Sequence, residues 1–144
     1  MTWVLDASAA LGLALGDGDE SLASVVSVSL ERAGAIVPQH WPLEVNNGLL
    51  MAFRRGRIPL AAAHRAQELL LELPIEIDTE TAERCWGASF ELATEYGLTV
   101  YDAAYLELAL RLEAPLATAD RALAEAARKA GVPLAGDPGD SFGS

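Results

Sequence analysis

Asp6, Glu44, Asp102 and Asp120 are the residues whose type and placement could do chemistry beyond folding. Asp6 follows the apolar run Trp3-Val4-Leu5, and Asp120 follows Leu116-Ala117-Thr118-Ala119. In open α/β sheets, ligands bind at the carboxyl ends of strands. Each also has a plainer reading, because an Asp between a strand and a helix accepts a hydrogen bond from an early helical N–H and so caps the helix. Asp102 opens the amphipathic run Ala103 to Leu110, and the cap reading extends to it. Glu44 differs: it falls inside a helical stretch among Trp41, Leu43, Val45, Leu49, Leu50 and Phe53. An ionised carboxylate in apolar surroundings requires a partner. Asn47 and Gly48 share its side of the helix, and an ion pair with Arg54 or Arg55 is the structural alternative.

Drawn together at one end of a sheet, such carboxylates would repel one another and raise their own pKa values unless a cation lay among them. Oxygen-only ligands favour Mg²⁺ or Mn²⁺ over zinc. His40 and His64 are far apart in sequence and are expected on helix surfaces. A metal held by carboxylates, with its remaining positions given to water and phosphate oxygen, is the arrangement used for phosphodiester hydrolysis.

The elements that must position these acids follow from an alternation of short β-branched runs with longer helical stretches, the pattern of an α/β domain with a mainly parallel sheet. Strands are expected at Trp3–Leu5, Ala35–Val37, Ile75–Ile77 and Leu116–Thr118, with Pro133–Ala135 a candidate fifth. Helices fill the gaps. Pro59 stands where a first helical residue is expected, and Gly97 and Gly131 follow helical stretches as C-terminal caps do. The resulting fold class is α/β: a central, mainly parallel sheet of four to five strands flanked by helices. One domain over residues 1–136 and a flexible tail over 137–144, with its two Gly, one Pro and two Ser, complete the expected organisation.

Composition narrows the setting. Hydrophobic residues make up 51% of the 144-residue chain and charged residues 22%, as in a compact globular protein. The single cysteine, Cys85, excludes an intrachain disulfide and reads as a packing residue. The first basic residue is Arg32, so no secretory signal is expected, and the apolar stretch Ala7–Gly16 is shorter than the ~20 residues that span a bilayer. A cytoplasmic protein is the expectation. Ten Lys and Arg against 21 Asp and Glu give a net charge of −11, which argues against a broad electrostatic footprint for nucleic acid. The one concentrated positive feature is Arg54, Arg55 and Arg57, which reads either as a phosphate or partner contact or as a solvated helix end.

Four segments, Val4-Leu5-Asp6-Ala7-Ser8-Ala9, Leu43-Glu44-Val45-Asn46-Asn47-Gly48-Leu49, Tyr101-Asp102-Ala103-Ala104-Tyr105-Leu106-Glu107-Leu108-Ala109 and Leu116-Ala117-Thr118-Ala119-Asp120-Arg121-Ala122-Leu123, occur in an order and at spacings that resemble the PIN-domain family, specifically VapC-type toxins of toxin–antitoxin pairs. The resemblance spans about residues 1–136. It implies a PIN-like fold and makes Asp6, Glu44, Asp102 and Asp120 the acidic cluster that binds Mg²⁺ or Mn²⁺. Ser8 and Thr118 match small hydroxyl residues that orient water or phosphate, and Asn47 matches a polar residue on the Glu44 helix. The implied activity is endonucleolytic cleavage of RNA. The implied partners are a second copy of the chain in a homodimer and a cognate VapB-type antitoxin, with no membrane.

Two other classes fit parts of the pattern. A receiver-type signalling domain also carries acids at strand ends, but it needs a lysine at a late strand end, and the only lysine, Lys129, lies in a helical segment. A PIN-like domain serving purely as a non-catalytic interaction module is the second alternative, although all four acids are retained. An aspartyl phosphatase would need a second Asp where Ser8 stands, and a Gly-rich phosphate loop with Lys is absent.

Overall fold

Strands only two or three residues long survive here because every residue of the central one is buried and both its edges are paired. The computed structural model describes residues 2–16 and 20–135, so the expected tail 137–144 lies outside the described residues. Along the chain run β1 (Trp3–Leu5), α1 (Ala7–Leu15), α2 (Glu20–Ala33), β2 (Ala35–Val37), α3 (Trp41–Arg54) and α4 (Leu60–Glu72). Then follow β3 (Ile75–Ile77), α5 (Thr81–Arg84), α6 (Ala88–Tyr96), α7 (Val100–Leu112), β4 (Leu116–Ala117) and α8 (Arg121–Ala130).

The four strands form one sheet in the order β3-β2-β1-β4, with every pairing parallel. The chain lays β2 and β3 outward on one side of β1 and then returns to place β4 on the other. That reversal falls between β1 and β4, and the carboxyl ends of strands at such a reversal are the position at which ligands bind in these sheets. The fifth strand reduces to a single parallel bridge, Leu116 to Leu134. Pro133 has no N–H to give, and the bridge is carried by Leu116 N–H to Pro133 O (2.9 Å) and Ala135 N–H to Leu116 O (3.0 Å).

Around the sheet, α7 is the central helix. Residues Ala103 to Ala109 are all buried, because α7 packs against α6, α8, β1 and β4. The run expected to be amphipathic is therefore enclosed nearly all round. At Gly48, a Cβ would stand 2.4 Å from Leu11 Cδ1, so the missing side chain is what lets α3 approach α1. Gly97 (φ 67°) and Gly131 (φ 82°) end α6 and α8 in the left-handed conformation, as expected. Pro59 sits one position earlier than expected, as the extended residue before α4, where its fixed φ serves equally well.

One further expectation needs correction. Leu43, Leu50 and Phe53, placed with the apolar surroundings of Glu44, are exposed, Leu43 at 76%. They project from α3 away from the sheet, while Trp41, Val45, Leu49 and Ala52 face the core. Outside the expected acids, the carboxyl end of β3 carries a partly buried ionic network. Arg111 of α7 donates to Asp78 Oδ2 (2.8 Å), Glu107 Oε1 (2.7 Å) and Glu80 Oε2 (3.2 Å). Arg84 also donates to Glu80, at 3.0 Å. Burial pushes the Asp78 carboxyl up, but its hydrogen bonds and charge contact with Arg111 outweigh that and hold it below the ordinary range.

Removing Arg111 strands two buried carboxylates, so Arg111→Ala should destabilise the fold by about 3–5 kcal/mol in urea unfolding. A change under about 1 kcal/mol would mean that the network is solvated and structurally idle.

Candidate active site

All four acids lie at helix N-termini. Asp6 is the N-cap of α1, Asp120 the N-cap of α8, and Glu44 and Asp102 fall in the first turns of α3 and α7. Three of these helices begin just beyond the carboxyl ends of β1, β2 and β4, which is how a parallel sheet gathers helix starts at one edge. Unsatisfied N–H groups and the positive end of the helix dipole favour carboxylates there. Glu44 is thus closer to its helix start than its reading as an interior residue suggested. Asp102 is not a cap: Thr99 takes that role, its Oγ1 accepting from Asp102 N–H at 3.1 Å. That frees the Asp102 carboxyl from the plainer explanation that covers Asp6 and Asp120.

Asp6 is the buried member, 3% exposed. Its Oδ1 accepts from Ala9 N–H at 2.8 Å and from Ser8 Oγ at 2.8 Å, and its Oδ2 accepts from Thr118 Oγ1. Ser8 Oγ accepts in turn from Ala119 N–H (2.9 Å), and Thr118 Oγ1 from Asp120 N–H (3.0 Å). Ser8 and Thr118 therefore stitch the turn after β1 to the turn after β4 through one carboxylate. Burial pushes the Asp6 carboxyl up to about 6, overriding those three donors, with the charge of Asp102 adding to the rise.

Asp102 is the electrostatic hub. Burial raises its pKa, and the charges of Asp120 and Glu44 raise it further. Glu44 is held ionised, below the ordinary range, by a hydrogen bond from His40 that outweighs its partial burial, with Tyr105 assisting. Each acid is thus coupled to the cluster through Asp102.

The residues that sequence reasoning missed are His40 and Tyr105. His40, expected on a helix surface, stands beside Glu44, with Nε2 3.3 Å from Glu44 Oε1 and 3.0 Å from the Tyr101 carbonyl oxygen. Tyr105 donates its hydroxyl to Glu44 Oε1 at 2.7 Å. These contacts replace the Arg54 or Arg55 ion pair considered for Glu44. The arginines lie at the other end of α3, about 15 Å along the helix axis at ~1.5 Å per residue. His64 is on a helix surface as expected, bonded to Gln67. Asn47 is exposed one turn beyond Glu44 and, among the described residues, bonds to none of the four acids. The signal for Tyr105 was available: it lies three residues after Asp102, on the same helix face.

The donor chemistry fits a hard divalent cation, since every candidate ligand is a carboxylate oxygen. Among the described residues, no three His, Cys, Asp or Glu side chains already surround a single point closely enough to hold an ion. Mg²⁺ ordinarily takes one or two carboxylates and completes its shell with water and substrate phosphate, so this partly formed, mutually repelling set remains compatible with it.

Among known families, the PIN domain matches residues 3–129 of the chain. Ribonuclease VapC3 of Pyrobaculum aerophilum is 38% identical over 82 residues, which cover 57% of this chain and 63% of that relative, short of two thirds of its length. The crystal structure of PAE2754 from Pyrobaculum aerophilum has a TM-score of 0.69 at 26% identity, covering 94% of this chain and 84% of that one. Among the described residues, no helix is long and apolar enough to cross a membrane.

With Asp6 raised to about 6 in the folded protein and ionising near ~4 once unfolded, the unfolded chain releases its proton first between those values. Stability from this group therefore falls as pH rises through that window and stays reduced above it, by about 3 kcal/mol. In chelator, Asp6→Asn should melt at a higher temperature than the parent protein at pH 7, the gap closing as pH is lowered to 4. A gap that does not change with pH would assign the effect to something other than the buried charge.

Proposed function

The chain belongs to the PIN-domain family, and from that premise we propose that it is a divalent-metal-dependent endoribonuclease, the toxin half of a toxin–antitoxin pair. The observation that carries this reading is the placement of Asp6, Glu44, Asp102 and Asp120 at four helix N-termini, where the charges of Asp120 and Glu44 push the Asp102 carboxyl up. In this proposal Asp6, Glu44, Asp102 and Asp120 hold Mg²⁺ or Mn²⁺. Such an ion supplies charge neutralisation at the phosphate and lowers the pKa of an attacking water.

The remaining work belongs to the chain's own groups. Asp6, fixed by Ser8, Thr118 and the Ala9 amide, gives the cluster its rigid member. The N–H groups opening α1, α7 and α8 present positive dipole ends to an incoming phosphate. This matters for a chain of net charge −11, whose grip on RNA would be local and not a broad basic footprint. Ser8 and Thr118 are candidates to orient a bound water or phosphate, and Asn47 is a further candidate. Arg54, Arg55 and Arg57 are candidates for the flanking phosphates or for an antitoxin.

The likeness to a ribonuclease named VapC3 supports a VapB-type antitoxin as cognate partner. A homodimer and a cytoplasmic location complete the proposal.

Purified free of antitoxin, the protein should cleave RNA with Mg²⁺ or Mn²⁺ and stop when the ion is chelated. Asp102→Asn should lower the rate by about 10²–10³-fold, the scale on which one electrostatic stabiliser acts. Cleavage persisting in chelator would sink the metal mechanism. A folded protein that binds a VapB-type partner but leaves RNA intact at all metal concentrations would make the chain an interaction module.

A further inference from the structure

Glu44 is 33% exposed at its side chain, yet it is gripped by two donors, and both fall on the same oxygen. Tyr105, 1% exposed and 61 residues away, donates to Oε1 at 2.7 Å. His40, one turn earlier at the start of α3, brings Nε2 to 3.3 Å from that oxygen and 3.0 Å from the Tyr101 carbonyl. A carbonyl and a carboxylate only accept, so Nε2 carries the hydrogen and shares it between them. The His40 ring is itself fixed edgewise against Tyr105 (5.2 Å between centroids) and tilted against Tyr101 (5.7 Å). One hydroxyl thereby ties α7 to the start of α3.

We infer that Tyr105 and His40 are a positioning pair that holds Glu44 by Oε1, leaves Oε2 as its ligating oxygen, and so sets how tightly the acidic cluster binds a divalent cation. A half-exposed glutamate with only a structural duty gains little from such a grip, since ion pairs at that exposure contribute at most about 1 kcal/mol. A phenol has a further property that suits a ligand: its hydrogen bond to a carboxylate is strong because the acceptor is charged, yet it leaves the negative charge in place. An arginine would fix the geometry and cancel the charge. Partners one step behind a metal ligand characteristically change metal affinity by about 10–100-fold.

The inference rests on the metal-site reading above, and Mn²⁺ binding without RNA separates the two. Titrate the full chain with Mn²⁺, following loss of the free-ion paramagnetic resonance signal, and compare Tyr105→Phe, His40→Ala, Glu44→Gln and the double variant Tyr105→Phe/Glu44→Gln. Tyr105→Phe and His40→Ala should each weaken binding by about 10–100-fold. The Tyr105→Phe effect should vanish in the Glu44→Gln background, a dependence that loss of packing alone would not produce. If the parent protein and Glu44→Gln differ but Tyr105→Phe and His40→Ala both bind within about twofold of the parent, the positioning role fails while the metal site stands. If Tyr105→Phe weakens binding equally in both backgrounds, the hydroxyl does not act through Glu44. A parent protein that binds no Mn²⁺ overturns both readings. Should Tyr105→Phe fail to fold, His40→Ala with and without Glu44→Gln decides the question in the same way.

Discussion

The site depends on a carboxylate that burial disfavours. Asp6 lies at the end of a strand with no exposed residue, where the sheet order reverses. Three donors from two turns, Ser8, Ala9 and Thr118, converge on it. These bonds do more than satisfy the charge. By joining the turn after β1 to the turn after β4 they fix the spacing of two helix starts, and hence of Asp6 from Asp120. Even so, the donors do not fully offset the desolvation, and the carboxyl remains well above its ordinary pKa. A fold under selection for stability alone would gain from replacing such a group with a neutral one.

Gathering four acids would ordinarily be prohibitive in a chain that already carries a net charge of −11. The parallel sheet supplies the compensation. Because its strands all point the same way, the helices that follow them begin on the same side, and helix N-termini are the one backbone feature that favours negative charge without a cationic side chain. The same amides that make the cluster tolerable would also attract phosphate. The acidity of the protein and its proposed affinity for a phosphodiester are therefore compatible at this edge of the sheet.

Much of this was legible in the sequence. The four strands, the acids at strand ends and the glycine caps follow from local rules, which read a residue from its neighbours. What local rules could not reach were contacts set by distant parts of the chain. One miss was local: α7 begins at Val100, three residues before the expected start, so Thr99 caps it and accepts from the Asp102 N–H. The α7 run looked amphipathic because Glu107 and Arg111 are charged, whereas Arg111 folds back on Glu107 and on Asp78 just past β3, which lets both acids be buried. His40 was assigned to a surface because histidine on α3 has no intrinsic direction, and only Tyr101 and Tyr105 of α7 give it one.

Asp78 shows what separates a structural acid from a candidate ligand. It too is buried just past the carboxyl end of a parallel strand, so position does not distinguish it from Asp6. Its partner does. Arg111 delivers two hydrogen bonds and a full positive charge to Asp78, which leaves the carboxylate neutralised in place and with nothing to offer a cation. Asp6 is bound by hydroxyls and an amide, and Glu44 by a phenol, donors that orient an oxygen while leaving its negative charge in the field of the cluster. Asp102, pushed upward by Asp120 and Glu44 together, registers that uncancelled charge directly. The arginines at the C-terminal end of α3 lie about 15 Å along the helix axis from Glu44, whose partners are His40 and Tyr105 instead.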